Sequence, residues 1–171
     1  MSSSEDSQLV AAAQAGDRPA FGKLYQRHAG MVHAILLAHA PRPDVNDLVQ
    51  EVFLRALREL AGLRDVGAFG GWLANIARNR ARQQGRRPPG EELFAEPVAR
   101  ETQHDELEAA AALAAIGDLP DAYRETLLMR LVEGMTGPEI AARSGLTEGS
   151  VRVNLHRGMK LLRERLAGRK P

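Results

Sequence analysis

Apolar residues recur along this chain at helical spacing, with almost no strand-like alternation, so an all-α protein is predicted. The first helix is predicted over residues 6–15, with Leu9, Val10 and Ala13 on one face. Gly16-Asp17 ends it and caps a second helix, predicted over 19–40, that carries Phe21, Leu24, Tyr25, Val32, Ile35 and Leu36. Pro41 and Pro43 break that helix. A third is predicted over 44–60, where Val45, Leu48, Val49, Val52, Phe53, Ala56, Leu57 and Leu60 share a face expected to be core. A fourth, over 69–84, places Phe69, Trp72, Leu73, Ile76 and Ala77 on its apolar face. Beyond it an Ala-rich helix is predicted over 105–116 and another over 120–132.

The last periodic stretch, 136–166, divides into a short helix, a tight turn and a longer helix. Thr136 and Glu139 have capping-box spacing at the start of the first. Ile140 and Ala141 suit close approach by a second helix, and Gly145 supplies the positive φ of a sharp inter-helix turn. Thr147 can cap the next helix, along which Val151, Leu155, Met159, Leu162 and Leu166 form one apolar stripe. This is the helix-turn-helix pattern of DNA-binding proteins. An ordinary packed helical hairpin is the alternative, and this spacing with this charge favours DNA.

Between the fourth and fifth helices, residues 85–101 contain Pro88, Pro89, Pro97, Gly85, Gly90 and a run of charge, the composition of a linker. Two small all-helical domains on a flexible tether are therefore expected, the second containing the helix-turn-helix. Charge sharpens the picture, because a net +1 hides segregation. Arg78, Arg80, Arg82, Arg86 and Arg87 form one basic block, and Arg152, Arg157, Lys160, Arg163, Arg165, Arg169 and Lys170 a second. Between them lies an acidic stretch that includes Glu91, Glu92, Glu96, Glu101, Asp105, Glu106 and Glu108. Two basic blocks suit two sites for a polyanion, with a connector that avoids it.

No apolar run has transmembrane length, the polar start is not a signal peptide, and cysteine is absent, so a cytoplasmic protein without membrane insertion is expected. An enzyme is not expected. His28, His33, His39, His104 and His156 make no metal set, no nucleophile–base pair or phosphate-cradling loop stands out, and no cofactor is implied.

Projection of the third helix places Asp47, Gln50, Glu51, Leu54 and Arg58 opposite the core stripe. Leu54 is an apolar side chain amid charge: either a lone exposed leucine or the anchor of a docking face. On the fourth helix Asn75, Arg78 and Arg82 project away from the apolar face, with Asn79 toward its edge, a set suited to nucleic-acid backbone and base edges. The preceding loop, 62–68, can receive an unstacked base, with Trp72 or Phe69 as a stacking surface. Both aromatics also fall on the apolar stripe, which favours core packing. On the last helix Ser150, Val153, His156, Arg157 and Lys160 lie opposite its stripe and Arg152 at the flank.

The segments DLVQEVFLRAL (47–57), FGGWLANIARNRARQ (69–83) and LPDAYRETLLMRLVEGMTGPEIAARSGLTEGSVRVNLHRG (119–158) resemble, in order and spacing, the bacterial extracytoplasmic-function sigma factors. That resemblance implies a region 2 domain over 6–84, a linker over 85–107 and a region 4 domain over 108–167. It implies docking on core RNA polymerase through Asp47, Gln50, Glu51, Leu54 and Arg58. Arg64, Phe69, Trp72, Asn75, Arg78, Asn79 and Arg82 would serve the minus-ten element, the loop holding a flipped base. Ser150, Arg152, Val153, His156, Arg157 and Lys160 would meet the minus-thirty-five element in promoter DNA. A separate anti-sigma factor is the implied regulator, and the acidic linker would mimic RNA and avoid DNA. The family often has a polar residue followed by arginine where this chain has Val153-Asn154, which bears on promoter preference. A helix-turn-helix transcription factor that binds operators alone accounts for 136–166 but not for DLVQEVFLRAL or the Asn/Arg helix before the linker, and an adaptor would not support promoter-specific initiation.

Overall fold

The computed structural model describes residues 2–39, 45–85 and 104–168. Helices account for nearly all of them, and no strand occurs among the described residues. The chain divides into two compact units, Met1–Glu91 and Glu92–Pro171.

The first unit contains α1 (Ser2–Gln14), α2 (Arg18–His39), α3 (Val45–Glu59) and α4 (Phe69–Gly85). Asp17 caps α2 as expected, its carboxylate accepting from the Ala20 amide at 3.1 Å. α2 is the central element and packs on α1, α3 and α4. Its stripe of Leu24, Val32, Ile35 and Leu36 is buried against Leu48, Val52, Leu73 and other apolar side chains of that unit. Each such side chain contributes about 1.5–3 kcal/mol on leaving water. Two short 3-10 turns, Leu60–Gly62 and Val66–Ala68, join α3 to α4.

Two positions in this unit depart from expectation. Leu57, expected in the core, is 47% exposed. The rings of Phe21 and Tyr25 on α2 reach Phe53 at 6.4 and 4.5 Å and bury it, whereas Leu57 lies one turn further along the same flank. Arg78, expected on an exposed face of α4, is only 3% exposed. α4 packs against α1, α2 and α3, and its small Ala74, Ala77 and Ala81, all buried, let neighbours close over more than half its circumference.

The second unit contains α5 (His104–Gly117), α6 (Asp121–Leu131), α7 (Gly137–Ser144) and α8 (Glu148–Ala167). α8 is its hub, packing on α5, α6 and α7. Met129, Ile140, Ala141 and Val151 are buried together, with Met135 and Leu155 against them. Both helices at either end of the expected linker are longer than their periodicity implied, α4 taking in Gly85 and α5 starting at His104. Residues 86–103, with the acidic positions 91, 92, 96 and 101, lie outside the described residues, as do Pro41 and Pro43.

Candidate polymerase and nucleic-acid interfaces

Along α3, alternate sectors of the helix face the core and solvent. Asp47, Gln50, Glu51, Leu54 and Arg58 are all exposed, and Leu54 is 53% exposed at the centre of that charged set. An apolar side chain kept in water within a ring of charge is the composition of an interface anchor and its rim. A shallow groove beside it is lined by Glu51, Leu54, Arg55, Arg58, Glu59 and Arg80. Arg80, on α4, donates to the Glu51 carboxylate at 2.5 Å and to Gln84 at 2.9 Å. Arg55 pairs with Glu59 one turn along. A second groove, lined by Arg55, Asn79, Arg82 and Gln83, adjoins the first through Arg55.

On α4 the exposed sector is therefore narrower than projection alone implied. Asn75, Asn79 and Arg82 remain exposed, joined by Gln83, while Arg78 turns inward. Phe69, named above as a stacking surface, is 1% exposed and so inaccessible to a base. His28 packs edge-on against it at 5.2 Å and Trp72 lies at 5.9 Å, enclosing the ring. Trp72 itself is half-buried. Arg64 is exposed in the loop before α4, where the Asp65 carboxylate accepts from the Gly67 amide at 3.0 Å and closes the second 3-10 turn.

In the second unit the helix-turn-helix forms through local chemistry. The Thr136 amide donates to Glu139 Oε2 at 2.7 Å and the Glu139 amide to the Thr136 hydroxyl at 3.5 Å, completing the capping box. The Thr136 amide foremost, and then the Thr136 hydroxyl, which donates to the same Oε2 at 2.7 Å, hold the Glu139 carboxyl below its ordinary range. Gly145 takes φ 72°, a left-handed conformation that costs little without a Cβ, and its amide returns to the Ala141 carbonyl. Thr147 then caps α8 by accepting from the Ser150 amide at 3.1 Å. With Val151 and Leu162 buried, Ser150, Arg152, Val153, His156, Arg157 and Lys160 all face solvent. Their exposure gives a cationic helix face with one apolar side chain, Val153, 45% exposed.

Arg55 and Gln83, which the sequence does not single out, line these grooves together with Arg80 of the first basic block, and Leu57, expected in the core, adjoins them. Only the helical angle of Leu57, at the margin of its stripe, signalled its position. Among the described residues no cluster of three or more His, Asp or Glu could hold a metal ion. No described helix is long and apolar enough to cross a membrane.

Residues 24–87 match the family Sigma-70 region 2, and residues 109–162 match Sigma-70, region 4. The ECF RNA polymerase sigma-E factor of Haemophilus influenzae is 30% identical over 179 residues, spanning 94% of this chain and 95% of that protein. This chain belongs to the ECF RNA polymerase sigma factors. The ECF sigma-E factor of Escherichia coli strain K12 is also 30% identical, over 92% of both chains. Among solved structures, CnrH in complex with the cytosolic domain of CnrY has a TM-score of 0.71 at 28% identity, covering 97% of this sigma factor and 99% of that chain. The sigma factor RpoE from Bartonella quintana, in complex with the anti-sigma factor NepR, shares the fold with a TM-score of 0.66 at 21% identity, over 88% and 98% of the two chains. Sigma factors are regulatory DNA-binding proteins, and this one binds core RNA polymerase and directs promoter-specific transcription initiation.

Proposed function

We propose that the two units divide promoter recognition, with region 2 over 6–84, a linker over 85–107 and region 4 over 108–167. α3 docks on core polymerase through Asp47, Gln50, Glu51, Leu54 and Arg58. The observation that carries this is the 53% exposure of Leu54 within a charged rim. Leu57, exposed one turn further along, extends the apolar part of the same surface.

The loop 62–68 and the exposed sector of α4 serve the minus-ten element. Arg64 and Arg82 supply charge toward phosphates, and Asn75 and Asn79 can reach base edges. Trp72 borders this surface, while Phe69 and Arg78 support it from within. Opening the duplex costs a few kcal/mol per unstacked base, about what a pocket and a cationic face offset together. α8 enters the major groove at the minus-thirty-five element. There Arg152 and Arg157 read guanine edges or clamp phosphates, Val153 meets a thymine methyl, and Ser150, His156 and Lys160 complete the contact.

The protein acts in the cytoplasm, carries out no catalysis of its own and is held in check by a separate anti-sigma protein. The solved complexes of CnrH with CnrY and of RpoE with NepR support that partner class. Run-off transcription with purified core enzyme, this chain and a randomised promoter library tests the whole reading. Enrichment of two sequence blocks that disappears without polymerase is expected; tight specific DNA binding by the isolated chain would instead favour a stand-alone regulator.

A further inference from the structure

α1 carries none of the residues assigned to polymerase or DNA, yet it supports the loop assigned to the flipped base from beneath. Gln14, the last residue of α1, donates through Nε2 to the Leu60 carbonyl at 2.9 Å and the Leu63 carbonyl at 2.8 Å. These carbonyls bracket the 3-10 turn with which the loop begins, and Leu60 O also accepts from the Leu63 amide at 3.1 Å. A side-chain amide carries two N–H donors on one nitrogen, so a single glutamine can serve both acceptors. The pairing spans distant parts of the sequence and is partly buried, where losing a partner costs more than in water.

The far end of the loop is held from the same helix. Asp6 on α1 pairs with His28 Nε2 at 3.0 Å, and the His28 ring packs against Phe69, the first residue of α4. Between these two anchors Arg64 and Asp65 stand exposed.

We infer that Gln14 is a positioning residue for promoter opening, acting through the Leu60 and Leu63 carbonyls to hold the loop in the shape that accepts an unstacked base. The inference rests on the reading of the loop 62–68 as the base-receiving element. Preorganisation of this kind removes the cost of ordering the loop at the moment the base arrives.

The test uses the full-length protein with core polymerase and promoter DNA carrying 2-aminopurine at successive minus-ten positions. Gln14→Met keeps the length and removes both donors; Gln14→Lys keeps donors on a chain of similar reach. Gln14→Met is expected to slow the fluorescence rise by about tenfold, the loss of two ordinary hydrogen bonds, at one or two base positions only. Core binding by Gln14→Met should stay close to wild type, its thermal unfolding should drop by only a few degrees so that it remains folded under assay conditions, and Gln14→Lys should recover most of the opening rate. A uniform slowing at every position that tracks loss of folded protein would overturn the inference, as would equal defects in Gln14→Met and Gln14→Lys. Arg64→Ala separates the two levels. If Arg64→Ala slows opening and Gln14→Met does not, the positioning role fails while the loop reading stands. If neither variant alters opening, both fail.

Discussion

Arg80 Nε donates to Glu51 Oε2 at 2.5 Å, so the helix bearing the Asn75 face grips a carboxylate on the proposed docking face of α3. The pair is solvent-accessible, with side-chain exposures of 25% and 52%, and such pairs contribute about 0–1 kcal/mol to folding. In the proposed docking on core polymerase, the pair orients Glu51 toward the partner. Arg80→Ala should therefore leave the melting profile nearly unchanged while weakening core-polymerase binding several-fold. A double-mutant cycle with Glu51→Gln, read by equilibrium binding to core enzyme, should show coupling between the two sites; strict additivity would remove the orienting role.

Leu54→Asp places a charge where the proposed interface is driest. Because Leu54 is exposed in the free protein, helicity and stability should be retained. Binding to core polymerase should fall by about 2 kcal/mol or more, the scale of an interface anchor. Circular dichroism together with a core-binding titration checks both halves, and retained affinity would mean that α3 docks elsewhere or not at all.

Arg157 projects from the solvent face of α8. Arg157→Ala should reduce use of the upstream promoter element by about 1–3 kcal/mol with relaxed preference at one base pair if the guanidinium reads a base. If it holds only phosphate, the loss should be spread evenly across sequences and the salt dependence should become shallower. Initiation assays on a set of upstream variants at two salt concentrations distinguish these patterns.

Gly158 lies where α8 passes α6 closely. A Cβ at this position would stand 3.1 Å from Leu127 Cδ1 and 3.3 Å from Tyr123 Cβ. Alanine asks its neighbours to give by a fraction of an ångström, against a helix-propensity gain of about 1 kcal/mol. Gly158→Ala should consequently be close to neutral. Gly158→Leu cannot be accommodated and should destabilise the second unit by about 1–3 kcal/mol. Denaturant unfolding of the two variants provides the comparison.

Glu139 gives the helix-turn-helix a pH dependence of known sign. Its carboxyl is held below the ordinary 4.5 by the Thr136 backbone and side-chain hydrogen bonds. The ionised form is therefore favoured in the folded state, and its stabilisation is complete above pH 4.5. That stabilisation is lost as the pH falls through the lowered value. Protection of the amides at the start of α7, corrected for the intrinsic pH dependence of exchange, should fall over this acid window in the wild-type protein, and Glu139→Gln should abolish that fall. An identical acid profile in the two proteins would exclude the capping box as its source.

Much of the candidate site is legible in the sequence. The solvent placement of Asp47, Gln50, Glu51, Leu54 and Arg58 followed from one helical projection, because α3 packs on one side only over that stretch. The exposed set on α8 was equally readable, since Val151 and Leu162 mark the buried side at both ends. α4 resisted the same treatment. Its buried arc is set by how closely three neighbouring helices approach its alanines, and no periodicity within α4 encodes that distance. Hence Arg78 turns inward, away from the promoter surface the resemblance implies for it, whereas Phe69 is buried as its place on the apolar stripe favours.

The amino-acid sequence by itself determined the eight α-helices of the described residues, the division into two helical units, the capping box at Thr136 and Glu139, and the left-handed turn at Gly145. Each of these depends on residues within a few positions of one another, through period, capping and backbone freedom. Only the tertiary structure decided that Leu57 is exposed, that Arg78 is buried, that Arg80 reaches Glu51 and that Gln14 supports the loop between Leu60 and Leu63. These are relations between segments far apart in sequence. They arise when packing chooses which sector of each helix its neighbours cover and which polar groups end within hydrogen-bonding reach.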